Sequence, residues 1–361
     1  MPRRTATMLT STLLLIAVLC AAVLIRVPYA EMSPGPTVNT LGEHDGEPVL
    51  SIKGRKTYEP SGHLNMTTVR VTGADYRMNL VEAVHGWLAD DSAVVPHDTL
   101  YPDDRSAEEV REENAEEFTQ SLESAKVAAL RELDVPVGER VVVSSVVRGG
   151  PAEDRLHAGD VITAVDGEAV EEPGDVAELV TEHEPGQKVV FTVVPAKAVK
   201  AAEKAGEQPT VSREVTVTTE RADDGRAVVG IRAGLDHTFP FEIDIELADV
   251  GGPSAGLMFA LGIMDKLTPG DLTGGEFVAG TGTIDGEGRV GPIGGVEMKT
   301  IAARDKGAEY FLTPEDNCAT AARDAPESLT LVRVGTIDDA LEALEAIRGG
   351  KTAGLPRCAA G

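Results

Sequence analysis

Two short segments in the last third of the chain carry residue types suited to acyl transfer. The first is Val250-Gly251-Gly252-Pro253-Ser254-Ala255-Gly256, followed at once by Leu257-Met258-Phe259-Ala260-Leu261-Gly262-Ile263-Met264. That second run is apolar around its whole circumference until Asp265, so as a helix it must be buried. Ser254 therefore stands at the mouth of a buried helix, where free N–H groups and the positive dipole end suit an oxyanion. Serine is also a favoured helix cap, so this segment alone leaves both roles open. The second segment is Gly294-Gly295-Val296-Glu297-Met298-Lys299-Thr300-Ile301-Ala302-Ala303-Arg304, a helix start. At about 100° per residue, Lys299 falls between Met298 and Ala302 on one side and Val296 and Ala303 on the other. Glu297, Arg304 and Asp305 take the opposite side. A lysine inside an apolar stripe is desolvated or must snorkel out, and desolvation lowers its pKa. Such an amine can act as general base to a serine with no histidine involved.

Gly252-Pro253-Ser254-Ala255-Gly256 resembles the nucleophile motif of the Lon-type serine peptidases. Gly280-Thr281-Gly282 and then Arg289-Val290-Gly291-Pro292-Ile293-Gly294-Gly295-Val296-Glu297-Met298-Lys299 are similar to the stretch that ends in that family's catalytic lysine, 45 residues after the serine. The similarity runs from about Val228 to Gly349. It implies Ser254 as nucleophile and Lys299 as base, with Gly252 and Pro253 supporting the nucleophile turn. Thr281 matches a family threonine near the dyad and would hold the lysine by a hydrogen bond; its plain alternative is a strand-end threonine. Lon-type domains often assemble as rings, so the resemblance also implies a homo-oligomer, which no residue pattern here displays.

Upstream, Val141-Val142-Val143-Ser144-Ser145-Val146-Val147 is a β-branched run. Leu156 to Gly167 then places Val161 and Ile162 between a Gly-Asp turn and an Asp-Gly turn, a hairpin-like signal. Pro173 to His183 patterns as a short helix and Gln187 to Val194 as a strand. The string Ala158-Gly159-Asp160-Val161-Ile162, with Val165-Asp166-Gly167, resembles that of PDZ domains over roughly residues 125 to 220. Such domains take an extended peptide along a sheet edge beside a helix. The expected peptide-binding edge is the strand with Val141, Val142 and Val143, facing the helix that carries Val176 and Leu179. The loop at Val137-Gly138-Glu139 would receive a peptide carboxylate. The Ala/Lys-rich insert Ala196 to Ala205 reads as a flexible solvated loop before a last strand at Val211 to Thr219.

The elements that carry these motifs sit on a chain with a distinct beginning. Thr5 to Ile25 holds no charge and, at about 1.5 Å per helical residue, reaches roughly 30 Å, a bilayer's hydrocarbon thickness. Arg3 and Arg4 precede it, so the positive-inside rule places the N-terminus in the cytoplasm and the rest outside. A cleaved signal peptide is the rival, but Pro28 sits where a cut after Ala30 wants a small residue. In an oxidising exterior Cys318 and Cys358 can pair. Residues 31 to 100 read as strands of a small membrane-proximal segment. Ser106 to Leu133 reads as a helix with a Ser106–Glu109 capping box and a stripe of Val110, Ala115, Phe118, Leu122 and Ala125. Its acid-rich surface reads as a solvated face.

Composition excludes several classes. Acidic residues outnumber basic ones 60 to 33, and a net charge of -27 repels phosphate backbones, which argues against nucleic-acid partners. A mean hydropathy of -0.08 excludes a polytopic membrane protein. No phosphate-loop motif occurs, so no ATP is expected. The cysteines lack metal spacing, and His63, His85 and His97 are scattered, so no metal and no cofactor are assigned. His237 reads as an ordinary strand-entry histidine.

The expected fold class is α+β: an N-terminal transmembrane helix, a mainly-β PDZ-like domain and a C-terminal α+β Lon-type proteolytic domain. The expected divisions are 1–30 anchor, 31–124 membrane-proximal segment, 125–222 PDZ-like domain, 228–349 proteolytic domain and 350–361 tail. The arrangement resembles the bacterial membrane-anchored PDZ–Lon peptidases. It implies an ATP-independent, extracytoplasmic serine endopeptidase acting on unfolded or flexible polypeptides. The alternative is a non-catalytic PDZ scaffold carrying a degenerate peptidase domain.

Overall fold

The computed structural model describes residues 3–102, 105–205, 211–248 and 250–359. The first two residues of the expected anchor and the last two of the expected tail lie outside that description, as do positions 103–104, 206–210 and 249 within the expected domains. The chain is mixed α+β and divides into two compact units. One joins residues 1–135 with 241–361, and the other is residues 136–240.

The first unit opens with α1 (Arg3–Leu24), in which Thr7–Leu24 has a mean hydropathy of 2.4 and none of it is buried. By length and composition this helix can cross a membrane. Strands β1 (Tyr29–Asn39), β2 (Leu50–Lys53) and β3 (His63–Val71) follow, then α2 (Leu80–Leu88), β4 (Ala93–Pro96) and α3 (Ala107–Glu132). The capping box forms as the sequence predicts, with Glu109 N–H on Ser106 Oγ and Ser106 N–H on Glu109 Oε2. The face of α3 is another matter. Phe118, Ser121, Ala125 and Val127 to Leu130 are buried, and Phe118 meets Phe259 edge-on at 6.3 Å. The acid-rich surface is solvated as expected, with Glu108, Glu109, Glu112, Glu113 and Glu116 exposed, while Phe118 and Ala125 of the expected stripe are buried and its Ala115 is exposed.

The second unit contains β5 (Gly138–Val146), β6 (Val161–Val165), α4 (Pro173–Thr181), β7 (Lys188–Val194), α5 (Ala196–Ala205), β8 (Arg213–Thr218) and β9 (Ile231–Thr238). Its antiparallel sheet runs in the order β8-β7-β6-β5-β9. The turn after β6 forms with Asp166 and Gly167 both at positive φ. The Ala196–Ala205 insert is a helix rather than a loop. Alanine and lysine are strong helix formers, and Val199 gives the helix a buried anchor against Val142, Val161 and Val194. Asp160 adds a fixed start by accepting the Ala196 N–H at 2.9 Å.

The chain then returns to the first unit through β10 (Glu242–Ile245), which pairs antiparallel with β2. Next come α6 (Gly256–Leu267), β11 (Phe277–Gly280), α7 (Val296–Lys306), β12 (Tyr310–Pro314), β13 (Thr330–Val334) and α8 (Ile337–Arg348). The main sheet runs β13-β12-β11-β3-β1-β4. Its β3–β11–β12–β13 portion is parallel, while β1 pairs antiparallel with β3 and β4. Residues 31–124 are therefore not a separate segment: β1, β3 and β4 complete the sheet of the unit that holds Ser254. The 136–240 unit interrupts that fold in sequence, which hides the pairing from any local pattern. A disulfide joins Cys318 to Cys358.

Candidate active site

Three elements of the first unit converge on Ser254. Gly252 takes a φ of +82°, a left-handed conformation that disfavours any side chain, and turns the backbone before the serine. Two contacts from α3 hold this turn. Gly252 N–H donates to Asn114 O at 2.8 Å, and Ser121 Oγ donates to Pro253 O at 2.8 Å. From the other side, Gly282 N–H donates to Ser254 O at 2.9 Å, and Leu257 N–H donates to Gly282 O at 3.2 Å. Helix α6 then begins at Gly256 with Ala255 as its cap and no side-chain cap bond. Ser254 does not cap the helix, so its hydroxyl is free for other work. The burial that the apolar run demands is complete and extends to Asp265, which is 0% exposed. Burial pushes that carboxyl up to about 6, while its Oδ1 accepts the Leu272 N–H.

Lys299 approaches from α7. Its helix buries Val296, Met298, Lys299, Thr300, Ala302 and Ala303, the side expected from the periodicity, and packs on β1 and β3. The lysine is 2% exposed. Its Nζ donates to Ser254 Oγ at 2.7 Å and to Thr281 Oγ1 at 2.9 Å. Thr281, buried after β11, donates its own hydroxyl proton to Ser254 O at 3.0 Å. With that proton committed, the threonine oxygen can only accept from the amine, which orients the remaining face of Nζ toward the serine. Burial brings the Lys299 pKa down from 10.5 to about 7. A half-buried hydroxyl thus touches an amine able to lose its proton near neutrality. Beside it, a groove of about 260 Å³ is lined by Glu117, Gln120, Ser121, Pro253, Thr283 and Ile284.

Ser254, Thr281 and Lys299 are brought together with Gly252 and Pro253. Asn114 and Ser121 are the residues that sequence reasoning missed, since neither belongs to the apolar stripe expected on their helix. The burial spacing of Phe118, Ser121 and Ala125 was the available signal.

The expected peptide-binding edge is displaced. The strand with Val141, Val142 and Val143 is interior, paired by β6 on one side and by β9 on the other. Val141, Val143 and Val176 belong to the unit's core, with Leu179 packed against it. Gly138 pairs with Thr238, so the Val137-Gly138-Glu139 loop is not open as expected. The sheet's edge strands are β8 and β9, and of these β9 lies against α4 and leaves Leu235 44% exposed. A β-branched run looks alike at the edge and in the interior, which is why Val141 to Val147 misled.

Residues 112–205 match the family model of the PDZ domain, and residues 248–346 match that of the Lon protease (S16) C-terminal proteolytic domain. Lon protease 1 of Bacillus subtilis is 38% identical over 120 residues, 32% of this chain and 15% of that protein. The Lon protease of Koribacter versatilis is 34% identical over 121 residues, 31% of this chain and 15% of its own length. The matches thus span a small fraction of those relatives, in the C-terminal part of this chain. Among solved structures, the PDZ domain of the SdrC-like protein from Listeria monocytogenes is 24% identical with a TM-score of 0.21, covering 26% of this chain and 86% of its own. The polypeptide thus joins a PDZ domain to a Lon-type C-terminal proteolytic domain.

Proposed function

We propose that this chain is a serine endopeptidase working through a Ser254–Lys299 dyad, anchored by α1 and independent of ATP. The observation that carries the reading is the 2.7 Å contact between Ser254 Oγ and a lysine that is 2% exposed. In the neutral state Lys299 Nζ takes the hydroxyl proton as Ser254 Oγ attacks the peptide carbonyl carbon. The oxyanion is met by backbone N–H groups around Ser254 at the start of α6. Collapse of the intermediate breaks the C–N bond, and the departing amine takes the proton from Lys299. Water, deprotonated by Lys299, then attacks the acyl carbon, and the C–O bond to Ser254 breaks as its Oγ takes that proton back from the lysine. Thr281 acts as a positioning residue for the lysine.

The substrates are unfolded or flexible polypeptides, since strand addition at a PDZ edge takes a segment in extended form. Strand β9 and helix α4 form the docking edge for an extended segment of such a substrate, by strand addition. The charge flanking α1 supports an extracytoplasmic location for both units, and the Lon-type resemblance supports assembly into a ring. The purified full chain in detergent should cleave unfolded casein, while Ser254→Ala and Lys299→Ala should not. Equal cleavage by all three would remove the dyad.

A further inference from the structure

Helix α2 presents its residues the wrong way round for water. Its small residues Ala83 and Gly86 are buried, while Val81, Val84, Trp87 and Leu88 are 42%, 43%, 58% and 80% exposed. At about 100° per residue those four share one face, within roughly a third of the helix circumference. The orientation is fixed. A Cβ at Gly86 would meet Val94 Cγ2 at 2.7 Å, so it is the small-residue face of Ala83 and Gly86 that fits against β4. An Asn79–Glu82 capping box sets the helix start.

The same helix adjoins the end of α1. Leu80 N–H donates to Ile25 O at 3.0 Å, Val27 N–H donates to Met78 O at 2.9 Å, and Arg26 Nη1 donates to Arg77 O at 2.9 Å. Leu24 and Ile25 there are 79% and 51% exposed, so the apolar surface of α1 continues onto α2. Arg26 and Arg77 line an open cavity of about 570 Å³ at this end, with Tyr29 and His97. Tyr29 also meets the Trp87 ring edge-on at 5.5 Å. Tryptophan and tyrosine beside arginines, next to a spanning helix, is the composition of a bilayer's headgroup boundary.

We propose that α2 lies in the bilayer interface, its Val81, Val84, Trp87 and Leu88 face among the acyl chains of the leaflet where α1 ends. The inference rests on reading α1 as a membrane span. It adds a second contact that removes the freedom of a single tether. β1 begins at Tyr29, directly after α1, and packs against the helix that carries Lys299. The catalytic unit is therefore held at the membrane surface, and its substrates are polypeptide segments presented there.

Trp87 is the single tryptophan, which makes its emission a direct test. The full chain is reconstituted into phosphatidylcholine vesicles, with and without lipid brominated near the glycerol end of its acyl chains. Expected is co-flotation with the vesicles, blue-shifted emission, strong loss of intensity with brominated lipid and weak quenching by acrylamide. Flotation with red-shifted emission, quenched by acrylamide and indifferent to bromine, overturns this placement while leaving the anchor intact. Blue-shifted emission indifferent to bromine assigns the face to a protein neighbour and overturns it equally. Failure to float removes the anchor and this inference with it.

Discussion

The unit that carries Ser254 and the unit that carries β9 make opposite use of solvent. Around Lys299 water is excluded, and the amine's hydrogen bonds go to Ser254 and Thr281. Along β9 one side of a strand is left at the end of its sheet, with Leu235 still facing solvent. Desolvation sets the first region apart, because it brings an amine's pKa down toward neutrality. The second offers backbone at a strand edge, which is the basis of the docking proposed for it, since a strand edge can accept another strand. Changes in the first should alter rates, and changes in the second should alter apparent affinity.

The strongest way to break that contrast is at the dyad. Ser254→Ala or Lys299→Met should each lower kcat for casein by roughly 10⁴-fold or more, as removal of a member of such a unit does. Lys299→Met should also leave the melting temperature unchanged or raised, since it replaces a buried ionisable group by an apolar one of similar length. A variant that changed only KM would contradict the assignment.

Next in size is the response to pH. With Lys299 titrating at about 7, kcat/KM should climb about tenfold per pH unit below that value and level off above it. The same shift gives a signed stability effect. The unfolded chain keeps this lysine protonated up to about 10.5, whereas the folded chain releases the proton at about 7. Between those values the unfolded state binds more protons, so this residue's contribution to stability rises with pH. Melting curves of the wild type and Lys299→Met should therefore converge as pH increases from 7 toward 10.

Thr281→Val should reduce kcat roughly tenfold with KM little changed, and Thr281→Ser should restore most of it, because the bond and not the methyl group positions the amine. An equal loss in both variants would make Thr281 a packing residue. The smallest effect is expected in the second unit. Leu235→Asp on β9 should raise KM about three- to tenfold at constant kcat, the consequence of roughly 1 kcal/mol of lost apolar contact. A Val142 substitution that did the same without unfolding the unit would favour the strand first expected to be the edge.

Much of the candidate site's geometry was legible from local pattern. The all-apolar run after Ser254 called for a buried helix, the stripe around Lys299 called for a desolvated lysine, and Ser106 with Glu109 marked a helix start. The failures have physical causes of their own. Val141 to Val147 is β-branched enough to be either kind of strand, and its true neighbour β9 lies beyond the 112–205 stretch that matches the PDZ domain. Ala196 to Ala205 reads as a solvated loop, although its alanine and lysine content favours the helix that forms. Asp265 looked like the end of a buried helix, yet the structure keeps it inside with one carboxylate oxygen satisfied by Leu272 N–H.

Residue order alone fixed which groups could react and which local elements present them, because caps, turns and helical stripes are written over a few neighbouring positions. Tertiary structure alone decided that β1 and β3 belong to the same sheet as β11, that α3 braces the turn before Ser254, and that β9 rather than β5 is an edge strand. Each of those rests on backbone pairing or packing between segments remote in sequence. Such contacts leave no periodic trace in either partner, since any strand with unpaired N–H and C=O groups offers the same bonds to every candidate neighbour.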